Sequence, residues 1–361
     1  MHPNGRPWDD RPRLDVNIHA LKQNYNTLKA QVGASQIAPV VKADGYGMGA
    51  LQVSRALKKA GAQTFFVANF HEAKALRHAD QDSHIACLAG VADDRATGDY
   101  LKERIIPVLN SLAQLKRWQN ANQPAFIHLD TGMNRLGMPP NEQQTLLAEP
   151  NLLATIPALI YLSHLACADD HNHPLTTKQK AAFAMLRAKL PKGRASLCNS
   201  SGIFRGEDGH LDMVRPGAAL YGINPTPETD NPMTPVVGLS ARVLQTRMIA
   251  PPDSVGYSAT FTTKQPTKIA TLAAGYADGL HRRLGDKLIV EIEGHLCSSV
   301  GVISMDLTTI DVSDVPFDPT GHWVRIIGPH QDVDALARHA DTIGYEVLTS
   351  LAPRVIRSYN R

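Results

Sequence analysis

Residues 37–68 read IAPVVKADGYGMGALQVSRALKKAGAQTFFVA. An apolar, β-branched run (37–41) leads into a glycine-rich turn, then a segment of helical periodicity (50–60), then a second apolar run (64–68). That order is the mark of parallel strands joined by a helical crossover. Working outward, apolar runs recur at 84–88, 105–109, 125–129, 157–162, 195–197 and 213–220, giving eight strand candidates. Helix-like stretches lie between them at 71–79, 112–120 and 177–190, with Phe183, Leu186 and Leu190 at helical spacing in the last. Eight such units in roughly 200 residues suit a (β/α)8 TIM barrel. An open, doubly wound sheet competes on the same pattern.

Past Tyr221 the texture changes. Residues 224–235 are rich in Pro, Thr and Asn and read as a linker or long loop. Strand-like segments follow at 236–249, 268–274, 287–293, 298–312 and 322–327, with a helical stretch at 332–339 and a basic tail. Leu288, Val290 and Ile292 alternate with polar residues, as half-buried antiparallel strands do. The division this predicts is an N-terminal (β/α)8 barrel over 1–232 and a mostly β C-terminal domain over 233–361. The length of 361 residues agrees with two domains at about 150 residues each.

Composition narrows the function. Hydrophobic residues at 43% and charged residues at 20% exclude disorder. A net charge of +3 without basic runs gives no surface for nucleic acid or anionic lipid, so the expected partners are a small molecule and a second copy of the chain. Residues 1–13 are polar and lack the apolar core of a signal peptide, and no apolar stretch approaches the roughly 20 residues of a membrane span. The four cysteines (Cys87, Cys167, Cys198, Cys297) are dispersed and form no CxxC pair, which predicts a reduced, cytoplasmic setting.

In a (β/α)8 barrel, polar residues just after each strand build the active site. Lys42, at the exit of the first apolar run and before three glycines within five residues, places an amine beside a loop whose backbone can approach a ligand closely. Arg135, in a glycine-containing strand-exit loop, suits a carboxylate; His164 is a proton carrier or a hydrogen-bonded core residue. Ser201, in the CNSSG stretch 198–202, and Arg215, Gly217 and Ala218, in RPGA, follow the seventh strand candidate and open the eighth, where barrels often bind phosphate. Ser201 as a helix N-cap and Arg215 as a surface ion-pair member are the structural alternatives. Tyr257, Tyr276 and the Ser304-Met305-Asp306 run lie in loops of the second domain. The His171-Asn172-His173 stretch beside Asp169 and Asp170 lacks metal-ligand spacing, and no metal is expected.

The stretches VVKADGYGMG, HLDTGMNRLGM, YLSHLACAD, CNSSGIF, RPGAALYG, VGYSATF, AAGYADG, SMDLTTID and IGYEVLTSL resemble, in order and approximate spacing, the motifs of bacterial alanine racemases, which are fold-type III pyridoxal 5'-phosphate enzymes. The resemblance runs from about residue 14 to the C-terminus and implies a barrel followed by a β domain. It implies that Lys42 carries the cofactor, that Tyr46, Ser201, Gly217, Ala218 and Tyr345 hold its phosphate, and that Arg215 faces the pyridine nitrogen. It implies two catalytic bases, Lys42 and Tyr257, with His164 behind the tyrosine. It implies too that Arg135 orients Tyr257 and the substrate carboxylate, that Met305 contacts substrate, and that Tyr276 and Asp306 line the entrance. In the family Tyr257 and Met305 reach the opposite subunit's site in a head-to-tail homodimer.

Racemisation explains the assembly, because inverting an α-carbon removes a proton from one face and returns one to the other. A guanidinium at the pyridine nitrogen has no proton to spare and so leaves that nitrogen unprotonated, which disfavours transamination. The implied activity is interconversion of L- and D-alanine, for peptidoglycan supply or for D-alanine breakdown. Alternatives are a broad-specificity amino-acid racemase, a non-catalytic pyridoxal-phosphate carrier, and a fold-type III decarboxylase. Two departures stand out: His128 and Val302 occupy positions where many members carry a carbamylated lysine and an arginine. Arg135 is therefore expected to pair with a bound anion or a carboxylate instead.

Overall fold

The computed structural model describes residues 9–360, so part of the polar stretch 1–13, namely 1–8, lies outside the described residues. The chain divides into two compact units, one of Ala20–Thr234 and the other of Met1–His19 with Pro235–Arg361. The first strand, β1 (Arg13–Asn17), belongs to the second of these.

The Ala20–Thr234 unit is a nearly closed barrel of eight parallel strands: β2 (Gln36–Ile37), β3 (Thr64–Val67), β4 (His84–Cys87), β5 (Ile105–Leu109), β6 (Ala125–His128), β7 (Leu159–Leu162), β8 (Arg194–Ser196) and β9 (Met213–Val214). Each strand from β3 to β8 pairs with the next, and β9 pairs with β2. A parallel bridge between Val40 and Phe66, with Val41 N donating to Phe66 O at 2.8 Å, draws β2 and β3 together. The apolar runs form strands because both faces are covered, and β3 is buried at every residue. Inside, Phe66 meets Phe126 edge to face at 5.0 Å between centroids.

Helices Ala50–Lys59, Phe70–Ala79, Asp94–Lys102, Leu112–Trp118, Pro140–Ala148 and Pro174–Lys189 form the crossovers. Several begin at a side-chain cap: Asn69, Asp93 and Ser111 each accept a backbone N–H three residues on. The apolar run 213–220 is a strand only over Met213–Val214. Arg215-Pro216-Gly217 breaks it, and Ala218–Tyr221 coils into a 3-10 turn. The open-sheet alternative is excluded.

The second unit is built on an eight-stranded, largely antiparallel sheet. Its hub is the long strand β10 (Val237–Ile249). The remaining strands are β11 (Ser254–Val255), β12 (Phe261–Thr262), β13 (Thr267–Leu272), β14 (Ile289–Ile292), β15 (His295–Ser298), β16 (Thr308–Asp311), β17 (Trp323–Ile327) and β18 (Ile356–Asn360), with β11 and β12 forming a separate ribbon. Strand β10 pairs with β1 and β17 along its first half, then shifts register at Val243/Gln245 and pairs with β13. Glu293 and Gly294, both at positive φ, close the β14–β15 hairpin in two residues. Residues 298–312, read as one strand, split into β16 and a loop at 299–307.

The division at 232/233 places the N-terminal strand with the barrel, whereas β1 lies between β10 and β18. The physical reason is that Leu14 and Val16 alternate with polar residues, a pattern that calls for a half-buried sheet but does not say which one.

Candidate active site

Lys42 leaves the barrel into an unusual turn. Ala43, Asp44, Gly45 and Tyr46 all adopt left-handed backbone angles (φ 51, 52, 63 and 55°), and Gly47 follows at φ 79°. Three of these carry a Cβ, and left-handed conformation costs such residues roughly 1–2 kcal/mol each. The strain is held by Gly45 N to Val41 O (2.9 Å), Gly47 N to Ala43 O (2.8 Å), Asp44 Oδ1 accepting from Ala50 N (2.8 Å) and Glu72 Oε1 accepting from Ala43 N (2.8 Å). Strain sustained this way marks a segment whose geometry serves something other than stability. Burial pushes the Lys42 pKa down, Arg135 pushes it further, and Glu72 opposes both.

Arg215 is 4% exposed. Its guanidinium donates to Ser163 O (2.6 Å), Leu197 O (3.3 Å) and the Ser196 hydroxyl, and it approaches His164 Nδ1 at 3.4 Å. Among the described residues no carboxylate pairs with it. Burial lowers its pKa to about 10, so it stays a cation at neutral pH, solvated only by neutral acceptors. Because a guanidinium can only donate, its contact with His164 leaves Nδ1 bare. Burial and the neighbouring Arg215 hold the His164 pKa well below the usual imidazole value. His164 is therefore neutral, and the surface ion-pair alternative for Arg215 is excluded.

His128 is also kept neutral, its pKa lowered to about 4 by burial and by Arg215. Its Nδ1 bonds Asn110 Oδ1 at 2.8 Å. Gly137 is obligatory beside it: φ is 104°, and a Cβ there would lie 2.9 Å from the imidazole. Arg135 sits in the loop between, which Asp130 stiffens by accepting N–H bonds from Gly132, Met133 and Asn134. Among the described residues no carboxylate serves as the partner of Arg135.

A cradle of small groups follows β8 and β9. The Ser200 hydroxyl accepts from Gly217 N (3.0 Å) and Ala219 N (3.2 Å). A Cβ at 217 would stand 2.2 Å from the Tyr46 hydroxyl, so glycine is what lets the phenol approach this backbone. Tyr46 is stacked on Tyr221 at 4.6 Å. Sequence reading selected Ser201. The hydroxyl that touches the 217–219 turn belongs to Ser200, while Asn199, not Ser201, caps the short helix through Gly202 N. Both serines are small and adjacent, so only the direction of the side chains separates them.

In the second unit, Tyr257 occupies a 3-10 turn (Tyr257–Ala259) whose Ser258 and Ala259 have positive φ, and its side chain is 71% exposed. Tyr276 and Met305 sit on two loops zipped together by Tyr276 N to Ser304 O (3.0 Å) and Ala277 N to Met305 O (2.9 Å). Gly275 permits this, since a Cβ there would meet Met305 O at 2.4 Å. Arg354, absent from the sequence reading, clamps both loops: it grips Asp278 with two bonds (2.7 and 2.9 Å) and Asp306 with a third (2.7 Å). Tyr345 lies in helix Gly344–Ser350 of this unit. The His171–His173 stretch is a polar loop, with His171 N bonded to Glu228 and Asn172 N to Asp170.

The donor set of the barrel suits pyridoxal 5'-phosphate. An amine stands at the mouth, a glycine-lined cradle of hydroxyls and N–H groups accommodates a phosphate, and a buried, carboxylate-free guanidinium matches an unprotonated ring nitrogen.

The alanine racemase N-terminal domain family matches residues 16–225 and the corresponding C-terminal domain family matches 236–359. An alanine racemase of Rhodospirillum rubrum is 44% identical over 357 residues, covering 96% of this chain and 95% of that protein. A catabolic alanine racemase of Mesorhizobium japonicum is 44% identical over 355 residues, covering 96% and 92%. Among solved structures, alanine racemase from Bartonella henselae with covalently bound pyridoxal phosphate superposes with a TM-score of 0.93 at 38% identity, covering 98% of this chain and all of that one. The chain belongs to the alanine racemase family.

Proposed function

We propose that the chain is a pyridoxal-phosphate-dependent alanine racemase, an isomerase that interconverts L- and D-alanine with two bases. One observation carries the reading: Lys42 opens on a barrel mouth where Arg215, fully buried, is met by neutral acceptors only. A cation so placed disfavours protonation of any nitrogen aromatic it faces. When bound, pyridoxal phosphate supplies the electron-withdrawing ring that acidifies the substrate α-hydrogen.

The chain's residues do the rest. Lys42 Nζ removes or returns the α-hydrogen on one face; its lowered pKa raises the fraction of free amine. The Tyr257 phenol serves the other face. Tyr46, Ser200 with its neighbour Ser201, and the backbone at Gly217 and Ala218 hold the phosphate; Tyr345 is a further phosphate ligand on the resemblance alone. Arg135, unpaired with any carboxylate among the described residues, binds the substrate carboxylate and orients Tyr257, and neutral His164 stands in the same network. The 71% exposure of Tyr257 supports its being covered by a second copy, so the assembly is a head-to-tail homodimer in which Tyr257 and Met305 serve the partner's site and Tyr276 and Asp306 line the entrance. No helix among the described residues is long and apolar enough to cross a membrane. The enzyme works in the cytoplasm, and the reaction serves peptidoglycan supply or D-alanine breakdown.

The test is incubation of purified protein with L-alanine, following D-alanine with and without added cofactor. Failure to form D-alanine refutes the activity. Equal turnover of larger amino acids replaces the narrow assignment with a broad-specificity racemase.

A further inference from the structure

Among the cations of the barrel mouth sits one carboxylate that the mechanism above does not use. Glu72 lies in the first turn of helix Phe70–Ala79, its own N–H held by the capping Asn69 at 3.0 Å. Both its oxygens are committed to backbone donors: Oε1 accepts from Ala43 N at 2.8 Å and Oε2 from Ala68 N at 2.7 Å. Ala43 is the first left-handed residue after Lys42, and Ala68 directly follows β3, the strand bridged to Val40.

We propose that Glu72 is a positioning residue for Lys42, tying the left-handed turn to the neighbouring strand and so fixing the direction in which the amine points. The inference rests on the reading of Lys42 as the catalytic amine. A single bidentate carboxylate spans two strand exits, and any slack in it transfers directly to the residue after Lys42. Electrostatically it is the counterweight in its surroundings: Arg135, Arg215 and the neutral His164 face the same space, and Glu72 alone of these groups favours the charged amine. A structural role would be to cap helix Phe70–Ala79, but Asn69 already does so.

The test uses the full-length protein stripped of any bound cofactor, with two readouts that need no activity. Amide hydrogen exchange over peptide 42–49 reports the tether, and acetylation of Lys42 as a function of pH reports its proton affinity. In Glu72→Gln, which keeps one acceptor but loses the charge and the second, Ala43 exchange accelerates at least about tenfold. The labelling midpoint moves to lower pH. Glu72→Asp, whose shorter arm cannot span both donors, restores the midpoint but not the protection, which separates charge from tether. In the cofactor-loaded enzyme kcat falls about 10- to 100-fold while KM changes little, as for a misaligned base. Wild-type exchange at Ala43 and a wild-type labelling midpoint in a folded Glu72→Gln protein would overturn the proposal. If Glu72→Gln does not fold, wild-type exchange in Glu72→Asp overturns it equally. A wild-type protein that leaves alanine unchanged while the variants still loosen the turn refutes the functional reading and leaves the positioning role standing.

Discussion

Lys42 and Tyr257, the two proposed bases, sit in opposite surroundings. The lysine stands at a barrel mouth where, among the described residues, Arg135 and Arg215 form no ion pair with a carboxylate and where burial shifts Lys42, His128, His164 and Arg215 all down. The tyrosine stands on an exposed turn of a β domain whose nearby loops are organised by an ordinary ion-pair network of Arg354, Asp278 and Asp306. What the contrast teaches is that one base is completed inside a single chain, whereas the other is strained into place and then left uncovered, as a group waiting for a second copy would be.

The largest effect expected from breaking this pair is at the lysine. Lys42→Ala should lose nearly all racemisation, at or beyond the 10⁴ limit of a positioned base, together with the yellow colour of bound cofactor. A variant keeping both ends the assignment. Tyr257→Phe should keep the colour and lose on the order of 10² to 10⁴ in rate, about 3 to 5 kcal/mol. Solvent-deuterium incorporation from the two enantiomers should then fall unequally. Equal losses from the two enantiomers contradict a division of the two faces between Tyr257 and Lys42.

The buried region should also sense acid. His128 has a pKa near 4 in the fold against about 6.5 unfolded, so the unfolded chain binds the extra proton first. Stability is whole above pH 6.5 and is lost as pH falls toward 4, by roughly 3 kcal/mol from this group, with His164 acting in the same direction. Melting temperatures measured across that range should drop more steeply for the wild type than for His128→Gln. The exposed region should show the smallest response. The Arg354–Asp306 bond joins two largely exposed side chains, so Asp306→Asn should cost less than about 1 kcal/mol, and salt should erase the difference. A larger, salt-resistant loss would mean that the loop cluster is not the solvent-screened network described here.

Much of the barrel was legible because the alternation of apolar runs and helical segments is a local signal. The eight runs became eight strands since parallel strands are apolar on both faces and stand out against their crossovers. The mostly β texture after residue 235 was legible for the same reason. Lys42, Arg135 and His164 could be singled out because each follows an apolar run, and Arg215 because it opens one, where a barrel puts its chemistry. Arg354 and Glu72 gave no such signal: a charged residue in a tail and one in a helix look like solvated surface until their partners, 76 and 29 positions away, are known.

The sequence by itself determined the strand and helix segments, the two-part texture and the residue types at the barrel mouth, because these depend on periodicity and composition over a few residues. Only the tertiary structure decided that β1 joins the second sheet, that Ser200 rather than Ser201 touches the Gly217 turn, and that His128 and His164 stay neutral. Those outcomes depend on pairing between distant segments, on side-chain direction and on loss of water, and none of these is a property of neighbours in the chain.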